Sequence, residues 1–408
     1  MSSELEVFVS DCPVGLLGED IETGLIDFRY LPDIPDQMAV SLLMPPSAPA
    51  EEYLGYNGVP PPFQISLPEG FVLDAIRTRF AKHIDVDNDM SLLGLVGRHT
   101  IGRTTFGGPL DPDATLQQNI LDAAKTEGAS QRLIEILKTS PEMFGVSGVM
   151  PKMSTFQTEK TRPGTIAAHG SIVKFDSPHY VGASLVEYAC LKACSAAGLD
   201  VPAIELSPDR TSLTLSRFDI APDGSRRGFE DACALSGLFR SGKYNGSIEH
   251  LFEMIRFFVH PDDQATDIVA MLKLVIMNDT LRNGDAHLKN FGLVYDDVMR
   301  PRLSPVYDVL TTQVWFPQEV PALPMQKTDP RGTEKWLDQL ELERLVSLSH
   351  CRNVDVIQMR AQCREIALQS MTTTLDECPK CPPRKALEHA LKIIEGALSV
   401  PSSSAKTK

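Results

Sequence analysis

The sequence predicts an α+β protein with two lobes, in which strands dominate the first half and helices most of the second. In residues 25–30, Ile26, Phe28 and Tyr30 alternate with polar residues, as in a half-buried strand. Residues 268–277 are almost uniformly apolar, which indicates a buried helix. At 408 residues the chain is also too long for one compact core, so we expect two or three domains.

Composition and charge exclude several classes of protein. The hydrophobic fraction of 42% and the charged fraction of 23% are those of an ordinary globular protein. No apolar run approaches the roughly 18 to 20 residues of a membrane span, and the first residues lack a signal-peptide pattern, which predicts a cytoplasmic protein without membrane association. The net charge of −15 argues against autonomous nucleic-acid binding, because phosphates attract basic surfaces. A partner or a local basic patch would still permit contact with DNA.

Eight cysteines are scattered along the chain, and buried thiols are the simplest interpretation. Cys378 and Cys381 form the one suggestive pair, with the spacing Cys-x-x-Cys. A zinc site normally needs a second well-spaced pair, so this pair alone is weak evidence for a metal.

Residues 1–139 are predicted to form a β-rich N-terminal subdomain with a few helices. The strand patterns lie at 7–9, 14–17 and 25–30, and the helix patterns begin at Gly70 and cover 115–127 and 130–138. Prolines between residues 32 and 62 favour turns, because proline fixes φ and lacks an N–H donor for a strand ladder. Pro141 marks the end of this subdomain, since proline disfavours helix in the residue before it.

A second predicted domain, 140–219, begins with a loop that suits phosphate binding. The stretch 144–152 is punctuated by glycine and carries Ser147, Gly148 and Lys152. Small residues let backbone N–H groups approach phosphate oxygens, and a lysine offsets their charge. Taken alone, however, this loop is better interpreted as an ordinary turn.

Lys174 lies inside the apolar strand pattern 170–175, where a buried cation needs an anion. In kinases a strand lysine of this kind holds the nucleotide phosphates and pairs with a helix glutamate. Glu187 lies thirteen residues later, at the head of the helix pattern 185–197. An edge strand whose lysine reaches water is the alternative. Residues 216–219 are the predicted crossing to the second lobe, where an adenine ring could stack on Phe218.

Residues 220–398 are predicted to form a mostly helical lobe, and residues 399–408 a disordered tail. In this lobe Asp285 is followed five positions later by Asn290, and eighteen positions after that by Asp308. This spacing matches the catalytic base and the two metal ligands of a phosphotransferase.

The last two of these residues are expected at opposite ends of a hairpin. The strand patterns are 291–295 and 302–308. Such a hairpin would bring Asn290 and Asp308 close enough to hold one metal ion.

The order of these features resembles the HipA family of serine/threonine kinases, the toxin components of bacterial toxin–antitoxin modules. The resemblance spans nearly the full chain, and the catalytic loop together with the later aspartate is its most specific part. The matching residues are L-P-E-G at 67–70, G-V-M-P-K at 148–152, I-V-K at 172–174, R-F-D at 217–219, N-G-D-A-H-L-K-N at 283–290 and Y-D at 307–308. The resemblance implies a bilobal protein-kinase-like fold.

The same resemblance implies roles for individual residues. Asp285 would accept the proton of the substrate hydroxyl, and His287 would organise the catalytic loop. Asn290 and Asp308 would hold Mg²⁺ that bridges the phosphates of ATP. The nucleotide contacts would come from Ser147, Gly148, Lys152, Lys174 and Phe218. Glu187 is a candidate partner of Lys174, but the sequence alone does not fix this pair.

Regulation is predicted to involve Ser147. The loop in this family often carries a Ser-apolar-Ser pair whose autophosphorylation ejects the loop, and here Gly145 occupies the first position. Ser147 is therefore the predicted phosphosite, because a dianion there would repel the phosphates of ATP. Gly145 is also expected to make the loop more mobile.

The resemblance implies two kinds of partner. One is a protein substrate, for which an aminoacyl-tRNA synthetase is a candidate, and the other is a small helix-turn-helix antitoxin. Two other functions stay open on the residues alone. They are a small-molecule kinase of the same architecture, and a kinase-like corepressor that acts through a DNA-binding partner.

Overall fold

The computed structural model describes residues 4–20, 22–109, 113–140, 150–162, 165–326, 335–351 and 353–399. Most of the predicted tail, residues 400–408, lies outside these ranges. The described chain has a β-rich first part and a helical second part, so the predicted α+β fold class is confirmed.

The N-terminal subdomain is built on a four-stranded antiparallel sheet with the order β3-β2-β1-β4. Its strands are β1 (Glu4–Val9), β2 (Cys12–Glu19), β3 (Ile26–Tyr30) and β4 (Thr104–Phe106). Phe28, Phe63 and Phe106 are fully buried, and Phe63 meets the other two rings edge to face at centroid distances of 5.3 and 5.0 Å. The alternation of apolar and polar residues in β3 therefore correctly predicts that Phe28 lies in the core.

Four helices complete this part of the chain. They are α1 (Gly70–Phe80), α2 (Asp89–Val96), α3 (Ala114–Ala124) and α4 (Ala129–Thr139). Ile120 of α3 and Leu133 of α4 belong to the same hydrophobic core as Met153 and Val173 of the next sheet. Helices α3 and α4 thus join the N-terminal subdomain to the sheet that follows.

A second antiparallel sheet has the order β5-β6-β8-β7. Its strands are β5 (Lys152–Arg162), β6 (Thr165–Phe175), β7 (Ile204–Leu206) and β8 (Ser212–Ser216). Helix α5 (Ala183–Ala196) packs against β6, β7 and β8, and most of its side chains are buried. Because α5 is enclosed on so many sides, a polar side chain on it must find a partner inside the protein.

The second lobe is mainly helical. Its helices are α6 (Ala232–Leu235), α7 (Ile248–Phe258), α8 (Pro261–Thr280), α9 (Gln339–Ser349), α10 (Val356–Glu377) and α11 (Arg384–Ser399). Helix α8 has Pro261 at its first position, where the missing N–H costs no helical hydrogen bond. Its apolar stretch is buried, and Lys273 extends to the carbonyl of Ala197 at 2.6 Å. This contact links α8 to the end of α5.

A small sheet in this lobe differs from the prediction. It has the order β11-β10-β9, with β9 (Gly228–Asp231), β10 (Gly292–Tyr295) and β11 (Arg302–Leu303). The segment from Phe229 was predicted as mostly helical, but it first pairs with β10 and only then enters α6. Strand pairing with a distant segment is invisible to a local pattern.

The predicted strand 302–308 is also wrong in its length. β11 ends at Leu303, and Pro305 has no N–H to extend the ladder. Asp308 instead adopts a left-handed backbone with φ of 53°. It therefore lies in a loop beyond the hairpin, where its carboxylate can turn toward the second sheet.

Two further expectations concern thiols and membranes. Five of the eight cysteines are buried, among them Cys190 and Cys194 of α5, and burial raises the pKa of the Cys190 thiol to about 12. The Sγ atoms of Cys378 and Cys381 lie 3.8 Å apart. None of the helices in the described part of the chain is both long and apolar enough to cross a membrane.

Candidate active site

The centre of the candidate site is a buried cluster of two lysines and two carboxylates. Lys174 of β6 contacts Glu187 of α5 and Asp308 with its Nζ atom. Lys152 of β5 lies 3.3 Å from the second carboxylate oxygen of Asp308. The register of β5 and β6 explains the geometry, since Lys152 and Lys174 are direct cross-strand partners.

Burial decides between the two interpretations of Lys174. Its relative exposure is 3% and that of Glu187 is 0%, so the lysine does not reach water. Burial by itself would lower the pKa of Lys174, but the carboxylates of Asp308 and Glu187 outweigh it and raise the pKa. Lys174 is therefore held as a cation inside the protein.

Asp308 is held as an anion by the same cluster. Burial tends to raise the pKa of its carboxyl, but Lys152 and Lys174 lower the pKa well below its usual range. Burial lowers the pKa of Lys152, whose contact with Asp308 is longer than that of Lys174. With 27% of its side chain exposed, Asp308 is charged and still accessible from the cleft.

The predicted catalytic loop follows α8 and is held by polar contacts. Asn283 donates to the side-chain oxygen of Asn278 at 2.7 Å, and the N–H of Gly284 donates to the Thr312 hydroxyl at 2.8 Å. These contacts hold the two residues that precede Asp285. Asp285 itself lines the cleft.

Asn290 lies in a single turn of 3₁₀ helix at 288–290. Its Nδ2 atom donates to the backbone carbonyl of Asp285 at 3.0 Å. Because the amide nitrogen is used in this way, the amide oxygen is directed away from that carbonyl and is available as a ligand. Asn290 and Asp308 both line the cleft.

Asp285 has a neighbour that the sequence reading missed. The hydroxyl of Tyr244 donates to a carboxylate oxygen of Asp285 at 2.8 Å. The Tyr244 ring meets the ring of His287 edge to face, with centroids 5.2 Å apart. His287 is buried, and its burial lowers the pKa of the imidazole. Its backbone N–H donates to the carbonyl of Asp285 at 2.8 Å, which fits the predicted organising role.

An aromatic cluster forms the other end of the cleft. The ring of Phe218 lies 5.2 Å from Phe229 and 5.9 Å from Tyr307, measured between centroids. Ile172 and Leu215 add an aliphatic wall. Such a lining suits a flat heteroaromatic ring. Phe229 was missed because its strand was read as helix, and Tyr307 was noted only as a neighbour of Asp308.

A second buried ion pair supports the floor of the cleft. Lys289 lies 3.1 Å from Asp231, and both side chains are almost wholly buried. Asp231 also caps α6, because its carboxylate accepts the N–H of Ala234 at 2.8 Å. The turn 288–290, which contains Asn290, is thereby connected to the start of helix α6.

The cleft gathers most, but not all, of the predicted site residues. Those in the described chain that line it are Lys152, Lys174, Phe218, Asp285, His287, Asn290 and Asp308. Gly145, Ser147 and Gly148 lie outside the described residues. Glu187, which the sequence left undecided, is the helix partner of Lys174.

The residues present fit a magnesium nucleotide. The amide oxygen of Asn290 and the carboxylate of Asp308 are oxygen ligands of the kind that Mg²⁺ prefers. No group of three or more His, Cys, Asp or Glu suited to a metal occurs among the residues that the structure describes. A bound ion would therefore take its other ligands from water and phosphate, as is usual for Mg²⁺. Among the described residues that line the cleft, Glu187 has one carboxylate oxygen, Oε2, that is buried without a hydrogen-bond partner.

The two lobes, the lysine–glutamate pair and the cleft between them define a protein with a protein-kinase-like fold. The family model of the HipA-like C-terminal domain matches residues 144–377, and that of the HipA N-terminal domain matches residues 5–107. Since the first alone covers more than half of the chain, this protein belongs to the HipA family.

The chain is also similar to two named relatives and to one solved structure. Two Sinorhizobium fredii proteins, named "Putative kinase Y4dM" and "Putative kinase Y4mE", are each 29% identical, over 67% and 59% of this chain. The aligned segments cover 68% and 61% of those two proteins. A chain in the solved complex of the Shewanella oneidensis toxin–antitoxin system HipA, HipB and operator DNA superposes with a TM-score of 0.67. It is 17% identical, with 97% of each chain covered, and this likeness establishes the shared fold.

Proposed function

We propose that this protein is an ATP-dependent serine/threonine protein kinase that acts on a cytoplasmic protein. The observation that carries the proposal is the convergence of Lys174 and Glu187 with Asp285, Asn290 and Asp308 around one cleft. A buried lysine–glutamate pair and a loop with Asp-x4-Asn are parts that protein kinases use for phosphoryl transfer.

Each residue has a role that follows from its position. Lys152 and Lys174 offer positive charge to the nucleotide phosphates, while Phe218 lies where the adenine ring would stack. Asn290 and Asp308 would hold Mg²⁺, which when bound neutralises phosphate charge and orients the phosphoryl group. Asp285 takes the proton of the acceptor hydroxyl at its carboxylate, in the place where it now accepts the Tyr244 hydroxyl.

The assignment of the base is tested with Asp285→Asn. An amide cannot accept the proton, so we expect phosphoryl transfer to fall by about 10²- to 10⁴-fold. The measurement is quantitative phosphoproteomics of cells that express the wild type or the variant, with transfer from labelled ATP measured in vitro. Full activity of Asp285→Asn would refute the role of Asp285 as base.

We further propose that the protein is a growth-inhibiting toxin restrained by a small helix-turn-helix antitoxin. Membership of the HipA family supports this, as does the presence of HipB in the solved complex with the Shewanella oneidensis HipA. The presence of Lys174, Asp285, Asn290 and Asp308 argues against an inactive corepressor. The identity of the neighbouring gene product is the simplest check, because a helix-turn-helix protein is expected there.

Ser147 is proposed as the autoregulatory phosphosite. Phosphate on this serine would carry about two negative charges into the region where ATP phosphates bind, and would repel them. We expect mass spectrometry after incubation with MgATP to find phosphate on Ser147, and Ser147→Ala to stay active for longer in the same incubation. Phosphate found on other residues but never on Ser147 would count against this regulation.

A further inference from the structure

A second groove meets the nucleotide cleft at Asp285. One of its walls is the segment 238–246 and the other is the segment 318–324, with Gly284 and Asp285 between them. Asp285 is the one residue that lines both the groove and the cleft in the described chain. Whatever lies in this groove therefore reaches the proposed base from outside the nucleotide cleft. We call this feature the acceptor groove.

The base already holds a hydroxyl that comes from the acceptor groove. Tyr244 is 48% exposed, yet its hydroxyl donates to Asp285 at 2.8 Å. A serine or threonine of a substrate would make the same bond before transfer. Tyr244 thus marks the position of the acceptor hydroxyl, and it has to move aside when a substrate enters.

The groove wall 318–324 is fixed and largely apolar. The carbonyl of Pro324 accepts the N–H of Ile248 at 2.9 Å, which anchors the segment to the first turn of α7. Val320 is 42% exposed and is followed by Pro321 and Ala322 on the same wall. An anchored apolar wall suits the side chains of an extended peptide segment.

Glu319 gives the acceptor groove its charge. Its carboxylate packs against Gly284, since a Cβ atom on Gly284 would approach a carboxylate oxygen of Glu319 to 2.6 Å. Glu319 forms no ion pair with any lysine, arginine or histidine of the described residues. Burial raises the pKa of Glu319, a hydrogen bond with Thr312 opposes this, and the negative charge of Asp285 beside it adds to the rise. The groove is thus complementary to a cation.

We infer that the acceptor groove binds an extended segment of the substrate protein in which a basic residue lies within about three positions of the acceptor serine or threonine and pairs with Glu319. In a strand, side chains two positions apart lie on the same face and roughly 6 to 7 Å from each other. Such a spacing places the basic side chain beside Gly284 when the hydroxyl is at Asp285. This inference rests on the proposed kinase function and names its substrate class.

The test uses the full-length protein, MgATP and a positional peptide library. Each peptide carries one serine, with Arg, Ala, Leu or Glu at each flanking position. We expect arginine at one of these positions to raise kcat/KM about 10-fold or more over alanine, as a charged hydrogen bond does. Glu319→Gln should reduce this ratio to near one, and Glu319→Arg should shift the preference toward glutamate. Glu253→Gln, an exposed glutamate of α7, is the matched control and should keep the wild-type ratio.

Three outcomes would overturn the inference. They are transfer to peptides without an arginine preference, an unchanged ratio in Glu319→Gln, and transfer to metabolites with none to peptides. The first two leave the kinase function intact. Absence of ATP binding and of any phosphoryl transfer by the wild type would instead refute the proposed function itself.

Discussion

At the scale of the residue, the site depends on how four buried charges share one space. Lys152 and Lys174 supply two positive charges, while Glu187 and Asp308 supply two negative ones. An isolated charge inside a protein is very costly, so the opposite charges of the cluster offset one another. Burial still lowers the pKa of Lys152 and raises that of Glu187, whereas the two lysines keep the Asp308 carboxyl charged. Asp308 is also partly exposed, so a metal ion can reach it.

Asp308→Asn should separate metal binding from nucleotide binding. An amide is a weaker ligand for a hard cation than a carboxylate, so we expect the affinity for ATP to lose its dependence on Mg²⁺. Calorimetric titration with ATP, in MgCl₂ and in EDTA, measures this. Asp376→Asn, at an exposed position of α10, serves as the control. A variant whose ATP affinity still rises with Mg²⁺ would show that Asp308 is not a metal ligand.

At the scale of the element, β9 connects the predicted crossing at 216–219 to the helical lobe. Gly228 begins this strand where the Tyr295 ring crosses it, and a Cβ atom there would lie 2.2 Å from that ring. Tyr295 in turn donates to the buried carboxylate of Glu230 at 2.8 Å. Glu230 also accepts the N–H of Leu42 at 2.8 Å, so the strand carries a contact to the N-terminal subdomain. A glycine is therefore required here for space.

Gly228→Ala should destabilise the protein. The added methyl group forces Tyr295 out of its contact, and overpacking of this kind costs about 1–3 kcal/mol. Urea unfolding monitored by circular dichroism gives the change in free energy. Gly396 of α11 offers a matched control, since nothing lies within 4 Å of its added Cβ atom. Gly396→Ala should raise the free energy of unfolding by about 0.5–1 kcal/mol, because alanine favours helix. Equal effects of the two substitutions would contradict the crowding at Gly228.

At the scale of the whole molecule, buried hydrogen bonds connect the N-terminal subdomain to the segment 217–226, and we call this set of contacts the clamp. Asp219 accepts the N–H of Gly102 at 2.7 Å, and Arg217 donates to the carbonyl of Thr100 at 3.1 Å. Arg226 contacts the carbonyl of Gly102. Asp219 is 1% exposed and pairs with Arg217 inside this clamp. The subdomain therefore contacts the segment next to Phe218, at the proposed adenine site.

Asp219→Asn should weaken the clamp. The change leaves the buried Arg217 guanidinium without its carboxylate, and breaking a buried pair costs about 3–5 kcal/mol. Urea unfolding should show this loss, and limited proteolysis should release a fragment near residues 1–107 sooner than in the wild type. Asp223→Asn, at an exposed position four residues later, should have a smaller effect. Equal protease resistance in Asp219→Asn and the wild type would argue against the clamp.

The effect of Asp219 also depends on pH. Burial would raise the pKa of its carboxyl, but the Arg217 guanidinium and the Gly102 N–H lower it in the folded protein. A carboxyl with a lowered folded pKa stabilises above its unfolded pKa, which is about 3.9, and this stabilisation is lost as the pH falls further. The difference in unfolding free energy between the wild type and Asp219→Asn should therefore be full at neutral pH and shrink below about pH 4. A difference independent of pH would contradict the charged state of Asp219.

The residues that we propose for chemical roles were largely indicated by the sequence because their spacing is local. Asp285 and Asn290 lie in one loop, and the lysine of β6 stands out inside an apolar run. Contacts between distant segments left no such pattern. Tyr244 and Glu319 come from separate loops, and nothing near either residue in the sequence indicates that it reaches Asp285 or Gly284.

The sequence by itself determined the fold class and indicated most of the candidate residues that line the cleft, since periodicity and fixed spacing are properties of short stretches. Only the tertiary structure decided which charges pair. It selected Glu187 for Lys174, moved Asp308 beyond the hairpin into a left-handed turn, and placed Phe229 beside Phe218. The physical reason is that a buried charge or ring gains its energy from whatever packing brings next to it, however far away that partner lies in the chain.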